Sequence, residues 1–265
     1  MKKNILYKGK KIFYRKESNG FPIVLLHGFG EDGSIWDLQI DFLKNDFEII
    51  IPDLPGSGKS EMLNGNILIE DYADCIKALL DDEKIENCIL LGHSMGGYIA
   101  LAFAEKYPDY LKGFGLIHST AFADSNEKKE IRKRGIETIK EYGAYHFLKT
   151  TTPNLFGEKF KKESPGKVDK LIEAGNNFKG EALMHYYKTM MLRPCRTDVL
   201  KQSSVPVLFV MGAEDKAAPV NDLLQQVHLP QVSYFHILEN AGHMGIWEAA
   251  DEMNKFIFEF AHEII

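Results

Sequence analysis

A serine lies at the centre of a Gly-x-Ser-x-Gly segment, residues 92–96, which reads Gly-His-Ser-Met-Gly. The apolar run Cys88–Leu91 precedes this segment, and a stretch with helical spacing, Tyr98–Lys106, follows it. A strand, a sharp turn and a helix in this order are typical of a nucleophilic serine held above the edge of a sheet. The start of the following helix also favours developing negative charge. The pattern therefore predicts Ser94 as a nucleophile.

A serine hydroxyl is a weak nucleophile near neutral pH, so it needs an adjacent base. His243 is the best candidate, because it lies in a loop directly after the strand-like run Val232–Leu238. Open parallel sheets carry their catalytic groups in such loops, at the carboxyl ends of the strands. We therefore predict that His243 accepts the serine proton.

A carboxylate is needed to hold the tautomer of the base. Asp215 follows the apolar run Val207–Met211, which places it at the same predicted sheet edge as His243. The adjacent Glu214 is an alternative, and Asp124, after the preceding strand, is a more distant one.

Two backbone N–H groups are required to bind the oxyanion of an acyl-transfer reaction. Met95 follows the nucleophile and supplies the first, and Phe29, in the loop after the run Pro22–Leu26, is predicted to supply the second. His27 in the same loop is interpreted as bracing it, at the edge of the substrate pocket, rather than as a base.

The elements that position these residues alternate between strand and helix. Five short continuous apolar runs are typical of strands buried on both faces of a parallel sheet: Pro22–Leu26, Phe47–Ile51, Cys88–Leu91, Phe114–Ile117 and Val207–Met211. Segments with helical spacing separate them, which indicates an α/β fold built from strand–helix–strand units. Residues 4–16 precede these units and predict a hairpin.

This alternation stops between residues 121 and 196, where no convincing strand is found. Three helical stretches occupy the region: Glu127–Tyr142, Val168–Ala174 and Glu181–Leu192. We predict a helical cap over residues 121–196, inserted into a core formed by residues 1–120 and 197–265.

The last of these stretches is rich in Met and Tyr, which fill irregular apolar space and offer polar tips. The residues predicted to line a substrate pocket there are Met184, Tyr187, Met190 and Met191. The alternative is that they only pack the cap, because an apolar stripe at helical spacing is more often core.

Composition excludes several classes of protein. The formal net charge of −6 argues against nucleic-acid binding. No metal-ligand spacing and no cofactor motif is found, so we expect neither a metal nor a cofactor. There is no membrane span or signal peptide, and the three cysteines form no Cys-x-x-Cys pair, which together predict a cytoplasmic protein. The sequence does not indicate an oligomeric state.

Five segments, in this order along nearly the whole chain, resemble the α/β-hydrolase fold family. They are His27–Gly30, Asp53–Ser60, Gly92–Gly97, Gly212–Asp215 and Gly242–His243. The resemblance implies an eight-stranded sheet with one antiparallel strand. It also assigns the nucleophile to Ser94, the acid to Asp215, the base to His243 and the oxyanion amides to Phe29 and Met95.

A serine at the nucleophile position argues against the dehalogenase and epoxide-hydrolase relatives, in which the resemblance implies an aspartate. We expect hydrolysis of a small or medium carboxylic ester through an acyl-enzyme. Carbon–carbon bond hydrolases, acyltransferases and cofactor-free haloperoxidase-like proteins share these motifs and stay open as alternatives. A ligand-binding receptor that retains the triad is a further one.

Overall fold

The computed structural model describes residues 1–265 and contains one eight-stranded sheet, in the order β1-β2-β4-β3-β5-β6-β7-β8. The strands are β1 (Lys2–Tyr7), β2 (Lys10–Glu17), β3 (Phe21–Leu26), β4 (Phe47–Pro52), β5 (Cys88–His93), β6 (Leu111–Ile117), β7 (Val207–Gly212) and β8 (Ser233–Leu238). Strand β2 runs antiparallel to both of its neighbours, and all pairs from β4 to β8 are parallel. The predicted fold class, including its single antiparallel strand, is confirmed.

Eleven α-helices connect and cover the strands. They are α1 (Asp37–Leu43), α2 (Ile69–Asp82), α3 (Met95–Lys106), α4 (Asn126–Thr151), α5 (Glu158–Glu163), α6 (Pro165–Ala174), α7 (Gly180–Leu192), α8 (Thr197–Gln202), α9 (Val220–Leu224), α10 (Gly245–Glu248) and α11 (Ala250–Ile264). None of them combines the length and the apolar character that crossing a bilayer would require.

The sheet carries a hydrophobic core on each face, because alternate residues of a strand point to opposite sides. On β5, Leu90 packs with α2 and α3, whereas Ile89 and Leu91 pack with α1 and α11. The continuous apolar runs in the sequence therefore correspond to strands covered by helices on both faces.

Helices α4 to α7 lie between β6 and α8 in the chain, where the sequence predicts a cap. The N–H of Arg196 donates to the carbonyl of Ala121 at 2.7 Å, so the two ends of this segment meet. Asp124 near its start pairs with Arg193 near its end, at 2.8 Å, and with Arg132 of α4, at 2.6 Å. The segment thus leaves and re-enters the rest of the chain at one place.

Helix α4 is longer than the predicted stretch Glu127–Tyr142 but is interrupted directly after it. Gly143 has a φ of +86°, outside the helical range, and the chain resumes a helical course to Thr151. Glycine adopts this conformation without the steric cost that a Cβ atom brings. The short helix α5 had no periodic signal in the sequence.

Candidate active site

Ser94 stands between the end of β5 and the first residue of α3, with a φ of +51° and a ψ of −115°. Its N–H donates to the carbonyl of Ile117 at 2.9 Å, which fixes the turn against β6. The side chain is half-buried. A non-glycine residue in this region of φ is strained and persists only where its surroundings hold it there.

The two glycines of the motif allow this turn because the backbones come too close for side chains. A Cβ atom on Gly92 would overlap the backbone of Gly96. A Cβ atom on Gly96 would lie 2.6 Å from the carbonyl oxygen of Leu26 on β3. The turn therefore packs directly on the neighbouring strand, as the sequence pattern predicts.

His243 and Asp215 meet at the same sheet edge. Nδ1 of His243 lies 2.8 Å from Oδ2 of Asp215, and both side chains are buried. Oδ1 of Asp215 accepts the N–H groups of Ala217 and Ala218, at 2.8 and 2.9 Å. Burial alone would raise the pKa of Asp215, but the charge of His243 and the hydrogen bonds from His118 and His243 hold it well below its usual range. The carboxylate is thus fixed in its ionised form.

No hydrogen bond joins Ser94 Oγ to His243 in this structure. Such bonds are often long in the absence of substrate and shorten when it binds. A neutral His243 with its Nδ1–H bound to Asp215 presents a lone pair on Nε2, which is the form that accepts a proton from a serine.

The two alternative carboxylates have other partners. Oε2 of Glu214 accepts the N–H of Glu158, at 2.9 Å, at the start of α5. Asp124 is fully engaged by Arg132 and Arg193. Neither side chain hydrogen-bonds His243, so the geometry favours Asp215.

The predicted oxyanion amides come from two different loops. The N–H of Phe29 makes no hydrogen bond within the protein. Met95 is the first residue of α3, where N–H groups have no intrahelical acceptor. In the loop of Phe29, a Cβ atom built on Gly28 would lie 3.0 Å from Cβ of Ser94. The loop is therefore in van der Waals contact with the predicted nucleophile.

His27 does not line a pocket, which corrects one of the predicted pocket positions. Its ring is fully buried, Nε2 accepts the N–H of Leu54 at 2.9 Å, and Nδ1 faces the carbonyl of Gly28 at 2.9 Å. Both nitrogens are thus occupied by backbone groups. The ring braces the loop of Gly28 against the loop that begins at Asp53.

A buried ion pair that the sequence analysis did not identify links three parts of the site. Oε2 of Glu31 lies 3.0 Å from Nδ1 of His93 and accepts the N–H of Gly28 at 2.6 Å. Nε2 of His93 lies 2.9 Å from the carbonyl oxygen of His243. Burial opposes both charges, yet the charge of Glu31 and its hydrogen bond raise the pKa of His93, and the charge of His93 lowers the pKa of Glu31.

Glu248 was also missed, and it holds the loop that carries His243. Its Oε1 accepts the N–H groups of Gly242 and Met244, both at 3.0 Å, and its Oε2 accepts the N–H of Gly157 at 2.7 Å. Burial raises the pKa of Glu248, against the effect of these three backbone donors. The segment before α5 is thereby joined to the loop of His243.

His118, directly after β6, is another residue that the sequence pattern did not single out. Its Nδ1 lies 3.1 Å from Oδ2 of Asp215, the oxygen that also binds His243. The ligand atoms of these three residues lie within 4.8 Å of one another, so they form the one group with a spacing that a metal ion could use. Both histidine Nδ1 atoms already face the carboxylate, which accounts for the arrangement by hydrogen bonds alone. In the sequence, only its position could have identified His118, because it follows a buried strand as Asp215 does.

Helix α7 contacts the loop of Phe29, the predicted oxyanion amide, through aromatic rings. The ring of Tyr187 stacks on Phe29 with a centroid distance of 4.3 Å and an interplanar angle of 5°. Phe147 of α4 meets both rings edge-on, at 6.3 Å from Phe29 and 5.8 Å from Tyr187. Burial raises the pKa of the Tyr187 hydroxyl to about 12. The half-buried Met184 lies on the same helix.

Two of the predicted pocket residues on α7 have other surroundings than Tyr187. Met190 is 2% exposed and belongs to the hydrophobic core that includes Tyr186. Met191 lines a separate groove of about 610 Å³ with Leu68 and Lys129, which contains no residue of the site described above. Adjacent residues on one helix point in different directions, so Met190 faces the core and Met191 faces the groove.

Comparison with known proteins identifies the family of the chain. A profile of the alpha/beta hydrolase family matches residues 23–256. Lipase 1 of Psychrobacter immobilis is 29% identical over 269 residues, which cover 93% of this chain and 79% of that protein. The 2-hydroxy-6-oxononadienedioate/2-hydroxy-6-oxononatrienedioate hydrolase of Escherichia coli strain K12 is 27% identical over 257 residues, covering 90% and 86%. A thermophilic esterase from Thermogutta terrifontis, solved with malate bound, has a TM-score of 0.94 and 29% identity, covering 100% of this chain and 99% of that one. The chain therefore belongs to the alpha/beta hydrolase family and is a hydrolase of that fold.

Proposed function

We propose that the protein hydrolyses carboxylic esters through an acyl-enzyme on Ser94. His243 takes the hydroxyl proton as Oγ attacks the ester carbonyl, and Asp215 stabilises the resulting imidazolium. The observation that carries this proposal is the buried 2.8 Å hydrogen bond between His243 and Asp215, beside the strained turn that presents Ser94.

The backbone N–H groups of Phe29 and Met95 receive the oxyanion of the tetrahedral intermediate. The alcohol leaves with the proton that His243 holds. His243 then removes a proton from water, which attacks the acyl carbon, and returns that proton to Ser94 Oγ as the acyl–oxygen bond breaks, so the acid and the free serine are released. No metal or cofactor takes part in this sequence of steps.

Residues 121–196 act in this proposal as a cap over the acyl-binding side of the site. The stacking of Tyr187 on Phe29 supports it, because that contact joins the cap to the loop that binds the oxyanion. Met184 and Tyr187 are the pocket residues that we retain. A small or medium carboxylic ester is the expected substrate.

A series of p-nitrophenyl esters of increasing acyl length tests the reaction, and a fluorophosphonate probe tests the nucleophile. We expect turnover of the short esters and one covalent adduct, found by mass spectrometry on the peptide that contains Ser94. Ser94→Ala should abolish both signals, while the control Ser119→Ala, a neighbouring serine, should keep the adduct. An adduct at another residue, or an active Ser94→Ala variant, would overturn the proposal.

Hydrolysis of a carbon–carbon bond is the second candidate function. The relative from Escherichia coli is named for a 2-hydroxy-6-oxo diacid, which contains a ketone and no ester. The same serine, base and oxyanion amides can act on such a ketone. Comparison of kcat/KM for a 2-hydroxy-6-oxo diacid and for p-nitrophenyl acetate decides between the two reactions.

A further inference from the structure

His118 is held in a strained backbone conformation next to the predicted nucleophile. Five residues other than glycine have a positive φ, and three of them, Lys8, Ser18 and Lys84, lie in exposed turns. The other two are Ser94, at +51°, and His118, at +49°, directly after the neighbouring strands β5 and β6. Strain of this kind is retained where the surrounding structure fixes it, and it is frequent at functional sites.

The side chain of His118 shares the carboxylate of Asp215 with His243. Oδ2 of Asp215 lies 3.1 Å from Nδ1 of His118 and 2.8 Å from Nδ1 of His243. Oδ1 accepts two backbone N–H groups, so four donors surround the carboxylate. An ionised carboxylate only accepts hydrogen bonds, which means that Nδ1 of His118 carries a proton.

The other nitrogen of His118 cannot hold a second proton at low cost. Nε2 is buried and has no hydrogen-bond partner, and it lies against Gly245, where a Cβ atom would overlap it. A proton there would bury a charge with no acceptor. Burial accordingly lowers the pKa of His118 to about 4, although the hydrogen bond and the charge of Asp215 oppose this shift. His118 is a neutral donor near neutral pH.

We propose that His118 is a positioning residue, whose Nδ1–H holds the Asp215 carboxylate in place and weakens its hold on His243. The proposal rests on the function proposed above. A carboxylate oxygen that accepts hydrogen bonds from two imidazoles binds each of them less strongly than it would bind a single imidazole. His118 therefore reduces the stabilisation that Asp215 gives to the protonated form of His243.

The other charged groups near His118 and His243 keep their own partners, which do not depend on His118. His93 lies 5.9 Å from His118 and 5.1 Å from His243 between ring centroids, and it is paired with Glu31. Glu248 is bound to backbone N–H groups on either side of His243. The charge of Asp215 raises the pKa of Glu248 further, so these two carboxylates also interact.

Two variants separate the N–H group from the ring that carries it. His118→Leu removes the donor, whereas His118→Asn keeps a side-chain N–H at the position of Nδ1. Both remove the part of the ring near Gly245. Asparagine also tolerates a positive φ better than leucine does, so the melting temperature of each variant is measured beside its activity.

The main readout is the pH dependence of kcat/KM on p-nitrophenyl acetate, which a loss of stability alone does not move. In His118→Leu we expect the acidic limb to shift upward by about one pH unit, because Asp215 then holds the protonated His243 more tightly. We also expect kcat to fall by about tenfold at the pH optimum, because the carboxylate is less firmly oriented. His118→Asn should keep the parental limb to within about 0.3 pH units.

The proposal is overturned if both variants keep the acidic limb of the parental pH profile of kcat/KM, or if both shift that limb equally. A titration of the His243 ring by nuclear magnetic resonance, in protein with labelled histidine, gives the same comparison without any substrate. If the parent protein neither reacts with a fluorophosphonate nor hydrolyses esters, the proposed function fails. The titration midpoint of His243 in the two variants then still decides whether His118 acts on it through Asp215.

Discussion

Nδ1 of His93 lies 3.0 Å from Oε2 of Glu31, and both side chains are buried. Nε2 of the same ring faces the carbonyl oxygen of His243 at 2.9 Å. With an acceptor at each nitrogen, the ring satisfies both contacts only as an imidazolium, which donates twice. The pair thus joins the loop of Gly28 and Phe29, the turn at Ser94 and the loop of His243.

Removal of the negative partner should destabilise the protein strongly. We expect Glu31→Gln to lower the free energy of unfolding by about 3 kcal/mol, because a buried charge then loses its compensation. The measurement is urea unfolding at pH 5.5, and the matched control is Glu130→Gln, whose carboxylate pairs with Lys133 on the surface. Equal, small effects of the two substitutions would contradict a charged buried pair.

The contribution of this pair should depend on pH in a defined window. The pKa of His93 is raised, so its contribution is complete below its ordinary value of 6.5 and is lost as the pH rises through the raised value. The pKa of Glu31 is lowered, so its contribution is complete above 4.5 and is lost as the pH falls through the lowered value. The difference in unfolding free energy between the parent and Glu31→Gln should therefore be largest between 4.5 and 6.5. A difference that is constant from acid to alkaline pH would show that the pair is not ionised as described.

Ser94 and His243 should behave as one unit under mutation. We expect Ser94→Ala and His243→Ala to reduce kcat by similar factors and the double variant to be little worse than either. The reason is that the hydroxyl is reactive only when the base accepts its proton. Losses that multiply in the double variant would mean that the two side chains act independently.

The choice of carboxylate is tested by two adjacent substitutions. Asp215→Asn should fold and lose about 10⁴-fold in kcat, because the amide favours the wrong tautomer of His243. Glu214→Gln should have a small effect on kcat, since its carboxylate binds the N–H of Glu158 instead. A severe loss in Glu214→Gln together with a mild one in Asp215→Asn would reverse the assignment.

Most of the fold and the main site candidates could be predicted because their signals are local. The turn at Ser94 and the loop of His243 each adjoin a buried strand, and parallel strands bring such ends to one edge. Glu31 and Glu248 give no local signal, and His118 gives only its position directly after a buried strand. Glu31 meets His93 across 62 residues, and His118 meets Asp215 across 97, so only the register of the strands brings them together.

The sequence was least informative on α7, where periodicity does not show which face meets the site. Met190 lies in the core with Tyr186, Met191 lines the groove with Leu68, and Tyr187 stacks on Phe29. A helical stripe identifies a buried face, but it does not distinguish packing from a substrate wall.

Substitutions on α7 should separate these two roles. Met190→Ala should lower the free energy of unfolding by about 2–5 kcal/mol and leave the preference for acyl length unchanged, because it creates a cavity away from the site. Tyr187→Ala removes the ring that stacks on Phe29, so it should change the ratio of kcat/KM between long and short acyl esters. The expected change corresponds to a free energy of about 1–3 kcal/mol. Tyr142→Ala on α4, where the side chain is exposed, is the matched control and should leave both quantities near the parental values. Chemical unfolding and the p-nitrophenyl ester series measure the two effects separately. If Tyr187→Ala keeps the parental acyl preference, this part of α7 packs the cap and does not bound the substrate.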